Sequence, residues 1–371
     1  MDRGSIRFKA LDGLKGICCI PIIFVHYASD AVNKFNCRVS DLPFSNVLGV
    51  LYEYGWVFIY PFFWMSGFFV AYKYNDKLGD VKLFAFLKHR LRTVYPMLFF
   101  TVSIGIIIGI LDEYFFKTNV STPFDSWLAI KDYTMTYNCW AEEHDMTGYA
   151  MGVEWFVCAL LLCYIYYYYI QKFVKSDNRI IIQVLLFLYG WAQRAGTVPY
   201  IPFTGVNGAF AGFFGGTILF EFLYGNYHDE LEVRAMTKKN KITVTVLVLV
   251  LTVFMMTKGP IPELVMMVLS PLLIIYCTRV KWSQRIMEIK PLQILGKLST
   301  SVYWSHHLVI RIAVIIIYML RSSYTFEDAS VLVAVLLLVI LTSVIYYMGV
   351  EVRFVSSFNR YVDRVFRLGD R

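Results

Sequence analysis

The sequence predicts an all-α, polytopic integral membrane protein, a helix bundle of about ten transmembrane helices with both termini cytoplasmic. Three observations predict it. Of 371 residues, 58% are hydrophobic, 18% aromatic and only 17% charged. A soluble domain holds about 45–50% apolar and about 25% charged residues, so lipid must solvate the excess. Apolar runs of about 20 residues, the length that crosses a hydrocarbon core of roughly 30 Å, recur along the chain. The basic residues gather in alternate loops between those runs, as the positive-inside rule expects of a multi-pass protein.

In chain order the runs lie near 11–29, 48–72, 93–111, 152–174, 179–195, 207–224, 242–257, 261–278, 295–319 and 330–350. Gly, Pro or a charge interrupts several of them, which is tolerated where neighbouring helices or a wet cavity satisfy the freed backbone groups. The basic loops carry Lys73, Lys77, Lys82 and Lys88; Lys172, Lys175 and Arg179; Arg234, Lys238, Lys239 and Lys241; and Arg279, Lys281, Arg285 and Lys290. Arg3, Arg7 and Lys9 at one end and Arg353, Arg360, Arg364, Arg367 and Arg371 at the other belong with them, which sets both termini inside. The segment before Lys9 is short and polar with no small-residue cleavage site, so no removable signal peptide is expected.

The other loops are poor in Lys and Arg. The longest, 112–151, carries Asp112, Glu113, Asp125, Asp132, Glu142, Glu143 and Asp145 against Lys117 and Lys131, so it is expected to face outward. It is too long for a plain connector and is expected to pack over the bundle. With no internal repeat or low-complexity tract, residues 1–371 read as a single transmembrane domain without an appended soluble one. The expected location is the plasma (cytoplasmic) membrane, with the lipid bilayer as the first partner.

The formal charge of +8 is spread over short loops rather than one soluble face, which argues against nucleic acid as a partner. Cys18, Cys19, Cys158, Cys163 and Cys277 sit inside apolar runs and read as small core residues. No Cys or His spacing suggests a metal site. Cys37 and Cys139 fall in expected outer loops, where a disulfide between them is open.

Ionisable residues inside membrane helices are costly, so each is a candidate for function. The first run holds Asp12, Lys15 and His26. Lys15 and His26 are eleven positions apart, which at about 100° per residue returns to within roughly 20° of the same direction. The rise between them is roughly 16 Å, close to the reach of an extended pantetheine arm. One reading has a donor holding its phosphates near Lys15 and its thioester near His26; the other has Lys15 snorkelling to headgroups and His26 bonding a neighbouring helix. His26 is a suitable base, because an unperturbed pKa of about 6.5 leaves neutral imidazole to take a hydroxyl proton.

The third run opens with Lys88-His89-Arg90-Leu91-Arg92 and then Tyr95-Pro96, on the same side as Lys15. Guanidinium forks suit phosphate oxygens, and positive-inside anchoring is the competing account. In Phe62-Phe63-Trp64-Met65-Ser66-Gly67-Phe68 the small pair permits close backbone approach, and no G-x-S-x-G elbow marks Ser66 as a nucleophile. Glu154 and Trp155 open the fourth run at the outer surface. Glu154 is placed to orient His26 or an acceptor, and Trp155 either stacks on a sugar ring or anchors at the interface. The ninth run carries Gly296, Ser299, Ser301, Tyr303, His306 and His307. Adjacent histidines cannot share a helix face, so at most one is expected to meet the interior, and His306 is the candidate to bind a donor or polarise a carbonyl.

Together these segments resemble acyltransferase family 3, membrane-bound transferases that acylate sugars and related acceptors. Leu11-Asp12-Gly13-Leu14-Lys15-Gly16, continuing to Phe24-Val25-His26-Tyr27, is similar to the family's first helix, where a basic residue precedes a catalytic histidine by ten intervening positions. The segments Phe62–Phe68, Arg90–Pro96, Trp155–Leu160 and Leu295–His306 resemble its later motifs and come in the expected order. Thr93 and Leu160 depart from the pattern, so a second arginine before the proline and a glutamate after the tryptophan are not carried over. The resemblance implies a cytoplasmic acyl-CoA donor, acetyl-CoA by default, and a sugar or glycan acceptor on the outer side. It implies His26 as catalyst, with Lys15, Arg90, Arg92, Ser66 and His306 toward the donor. Asp12, Glu154, Trp155 and Tyr303 are then acceptor or orienting residues. The alternative is a secondary transporter, which also buries charge in broken helices but predicts an inverted repeat and paired mid-membrane acids that this sequence lacks.

Overall fold

The structure is a computed structural model that describes residues 8–75, 77–79, 81–117, 125–136, 152–194, 208–224, 236–257, 261–320 and 323–369. Among the described residues it is helical and contains no strand. The helices are α1 (Lys9–Phe35), α2 (Ser45–Tyr54), α3 (Tyr60–Tyr74), α4 (Leu83–Leu111), α5 (Ser126–Thr134), α6 (Trp155–Phe173) and α7 (Ser176–Arg194). They continue with α8 (Ala209–Tyr224), α9 (Lys238–Met256), α10 (Pro262–Arg279), α11 (Lys281–Met287), α12 (Lys290–Met319), α13 (Ala329–Ile345) and α14 (Val355–Gly369).

Every predicted run is helical, but the runs are not ten equal spans. Among the described residues, eight helical segments are long and apolar enough to cross a membrane. The two that fall short have different reasons. α7 has the length but carries Asn178, Arg179, Gln183, Gln193 and Arg194. α8 is strongly apolar but has only 16 residues, roughly 24 Å of helix. The run at 48–72 is composite, because α2 passes through a tight 3-10 turn at Gly55–Ile59 before α3. A Cβ at Gly55 would collide with the carbonyl oxygen of Pro21 in α1, so the turn lies directly against that helix.

Local chemistry accounts for many ends. Asn36 adopts φ 55° and closes α1 by donating its backbone N–H to carbonyls of the last turn. Asp125 caps α5, accepting from the N–H groups of Trp127 and Leu128. Proline stands in the first turn of α3, α10 and α12, where its missing N–H costs nothing.

Two glycine crossings set the interior. Gly16 of α1 and Gly296 of α12 meet backbone to backbone: a Cβ on Gly16 would stand 2.7 Å from the Gly296 nitrogen, and one on Gly296 would strike the Asp12 carbonyl. Gly67 of α3 meets the Phe213 carbonyl of α8, and Gly216 of α8 meets the Trp64 carbonyl of α3. This is the close approach expected of the Ser66-Gly67 pair. The periphery is apolar instead: Leu249, Val250 and Val253 on α9 and Leu337, Ile340, Leu341 and Ile345 on α13 are all exposed. Such a surface is stable only against lipid tails.

Of the predicted outer loop 112–151, residues 112–116 prolong α4 as a π-helical turn and 126–134 form α5. α5 lies on α4, with the Ser103 and Tyr133 hydroxyls 2.8 Å apart. Residues 118–124 and 137–151 of that loop lie outside the described residues, as does Cys139 and therefore the proposed Cys37–Cys139 pairing.

Candidate functional site

The site begins with a stripe on α1. Lys15, Cys19, Ile22, His26 and Ser29 recur at steps of four, three, four and three residues, which keeps them on one face of a 3.6-residue helix. That face lines two adjoining cavities in the bundle. The first, about 290 Å³, is bordered by Lys15, Cys19, Ser66, Arg90, Ser299 and His306. The second, about 360 Å³, is bordered by His26, Ser29, Trp56, Tyr60, Trp155 and Arg194. Ile22, Ile59, Phe156 and Tyr303 belong to both walls.

Lys15 donates to the Asp12 carboxylate at 2.9 Å and lies 5.3 Å from the Phe69 ring centre. Asp12 therefore orients Lys15 and touches no acceptor space. Arg90 is held between two rings, with its guanidinium carbon 4.7 Å from the centre of Tyr74 and 5.6 Å from that of Tyr164. Its Nε and Nη2 are buried and have no hydrogen-bond partner among the described residues. A half-buried cation on a cavity wall with two unused buried donors suits an anion, because leaving such donors unmade is costly.

Arg92 goes elsewhere. Two residues on, it points out of the bundle and pairs with Asp363 of α14 at 3.1 Å, a carboxylate that also takes Lys88 at 2.8 Å. The expectation that Arg92 reaches the donor is corrected by this geometry, since two helical steps rotate a side chain by about 200°. Ser66 lies on the wall of the first cavity.

α12 brings its histidines to His26. The His306 ring centre lies 5.1 Å and that of His307 5.0 Å from the His26 centre. The expectation that only one of the pair meets the interior is thus overturned: His26 stands between the two directions they take. His306 is 1% exposed, and its Nδ1 lies 2.9 Å from the Val302 carbonyl. That contact fixes Nδ1 as the protonated nitrogen. Its Nε2 is buried with no partner among the described residues. His307 places Nε2 3.8 Å from the Asp30 carboxylate, four residues beyond His26 on α1.

Tyr303 donates its hydroxyl to the Val153 carbonyl and seals α12 against the start of α6. Trp155 and Trp56 both line the second cavity. Glu154 borders neither cavity. It is fully buried, within electrostatic reach of Arg311 and Asp132, so it belongs to a charge cluster behind the wall rather than to the acceptor space. Arg311 is also within reach of Asp112 and Asp30.

Sequence reasoning set His307 aside in favour of His306 and missed Asp30, Trp56 and Arg194. Asp30 was the most accessible of them, since i and i+4 positions on a helix are neighbours. Arg194 was not, because it ends a polar helix and reaches the cavity by packing over Trp56, 5.7 Å from the ring centre, and pairing with Glu263 of α10. Among the described residues no group of three or more His, Cys, Asp or Glu side chains is arranged to hold a metal ion.

The arrangement offers an anion-binding chamber, an aromatic chamber, and a pair of imidazoles where they adjoin. A family model described as an acyltransferase domain matches residues 8–348, nearly the whole chain. No curated protein and no solved structure matches the sequence.

Proposed function

We propose that this chain, which belongs to acyltransferase family 3, moves an acyl group, acetyl by default, from cytoplasmic acyl-CoA to a hydroxyl of a glycan at the outer side of the plasma membrane. The observation that carries the reading is the meeting of the two cavities at His26 and His306. Lys15 and Arg90 lie in one chamber and Trp56 and Trp155 in the other, so a phosphorylated donor and a sugar each have a chamber of fitting chemistry.

The phosphates of the donor bind Lys15 and Arg90, with Asp12 and the rings of Tyr74 and Tyr164 holding those cations in place. The pantetheine arm runs along the α1 stripe past Cys19 and Ser66. Its thioester comes to rest beside His306. The acceptor ring lies between Trp56 and Trp155 with one hydroxyl on His26, which takes the proton as oxygen attacks the thioester carbonyl. In this reading both termini are cytoplasmic, and the loop that follows α4 is external.

The test is acyl transfer in native membranes with labelled acetyl-CoA. His26→Ala abolishes transfer while the protein accumulates normally, and undiminished transfer overturns the assignment. Single-turnover labelling without acceptor leaves the enzyme unacylated, whereas a labelled histidine points to a covalent route. Counter-flow of solute without acyl release supports the transporter alternative instead.

A further inference from the structure

We propose that His306 is the acid that delivers a proton to the departing CoA sulfur, receiving that proton from His26. The inference rests on the acyl-transfer reading above and adds a second catalytic residue to it. The bond balance demands such a step. A carbon–oxygen bond forms to the acceptor, the carbon–sulfur bond breaks, and the hydroxyl proton must finish on sulfur as free CoA thiol. Acceptor and donor occupy different chambers, so that proton has to cross from one to the other.

The imidazoles are where it crosses. His26 borders the acceptor chamber and His306 the donor chamber. Their ring centres are 5.1 Å apart. His306 keeps its Nδ1 hydrogen on the Val302 carbonyl at 2.9 Å, so its vacant lone pair is on Nε2. That Nε2 is buried without a hydrogen-bond partner among the described residues, which leaves its lone pair open to accept a proton. Protonated His26 passes its proton to Nε2 of His306, and His306 gives it from the same nitrogen to the sulfur as the thioester collapses. Both histidines end neutral. A thiolate stranded between Met65, Phe62 and Ile22 would otherwise be a poorly solvated anion. His307 is equally near His26, but it lies against Asp30 and borders neither chamber, so it holds rather than relays.

The experiment compares two donors in native membranes that contain the endogenous acceptor. One is acetyl-CoA; the other is S-(4-nitrophenyl) thioacetate, whose thiolate departs without needing a proton. His306→Gln keeps an N–H for the Val302 carbonyl but cannot relay, and it is expected to lower kcat with acetyl-CoA by about a hundredfold or more. Its KM for acetyl-CoA stays within about threefold, and with the aryl donor its kcat is within about threefold of the unaltered protein. His26→Ala is inactive with both donors. Equal losses of His306→Gln on both donors, or a raised KM with unchanged kcat, overturn the proposal and leave His306 a structural or donor-binding residue. Activity surviving in His26→Ala overturns the underlying reading instead. His306→Ala is made in parallel, and accumulation of either variant suffices for the comparison.

Discussion

Arg90 and Arg92 leave the same helix on opposite sides: one guanidinium lies between the rings of Tyr74 and Tyr164 at the wall of a cavity, the other reaches Asp363 on the outside of the bundle. The two arginines look alike in the sequence and differ in everything that bears on binding. Arg90→Ala is expected to raise KM for acyl-CoA by about tenfold to a hundredfold, the worth of one or two charge-assisted hydrogen bonds. Arg92→Ala, which loses a half-exposed ion pair, should change it less than about twofold. Initial rates against acyl-CoA concentration check both, and a larger effect from Arg92 would reverse the assignment.

On the proposed reading, Asp12 acts on the donor through Lys15, with which it pairs. Lys15→Ala should raise KM for acyl-CoA, and Asp12→Asn should do so by less, because a part-exposed pair at 2.9 Å contributes about 0.2–1 kcal/mol to holding the ammonium in place. Combining the two substitutions should add little beyond Lys15→Ala alone. Additive losses in the double variant would mean that Asp12 has a separate role.

The helices were legible in the sequence because each needs only its own apolar run, and all of those runs are helical. Lys15, Ser66 and Arg90 meet on one cavity wall and Trp155 on the other, and for the α1 stripe helical periodicity alone announces the shared face. The remainder depends on partners far away in the chain. Arg92 is drawn out by a carboxylate 271 residues later, and Glu154, fully buried, borders neither cavity and lies within electrostatic reach of Arg311 on another helix. The turn at Gly55 that splits the second run packs directly against the Pro21 carbonyl of α1, a contact that no local pattern announces.

Trp56 and Trp155 line the second cavity and not the first, which on the proposed reading makes them acceptor contacts. Replacing either with Ala should raise KM for the acceptor by about three- to tenfold, the size of a lost aromatic contact, and leave KM for acyl-CoA unchanged. A loss confined to the donor would place the acceptor elsewhere.

Cys37 lies just beyond the end of α1, where burial and the neighbouring Glu327 carboxylate push its thiol up to about 11. At pH 8 about one molecule in a thousand is then thiolate, against roughly a quarter for an unperturbed cysteine. Iodoacetamide should modify this thiol in the reduced protein about a hundredfold more slowly than a free peptide thiol. Glu327→Gln removes a charge that opposes ionisation and should speed the reaction. Mass spectrometry of the alkylated peptide decides the matter, and unchanged labelling in the variant would remove Glu327 as the cause.

Gly296→Leu should destabilise the detergent-solubilised protein by about 1–3 kcal/mol, since the side chain would have to displace the backbone of Asp12. Gly349→Ala, which has open space around it, should not. A thermal melt of both variants checks this, and equal midpoints would show that the crossing is loose.

That crossing also bears on how such a protein changes over generations. Where α1 and α12 touch through Gly16 and Gly296 there is no side chain to lengthen or shorten, so the spacing of the two helices at that point is inherited from the peptide backbone alone. On the proposed reading, residues around Trp56 and Arg194 can be exchanged to suit a new acceptor while the spacing of the imidazoles, set by that crossing, is kept.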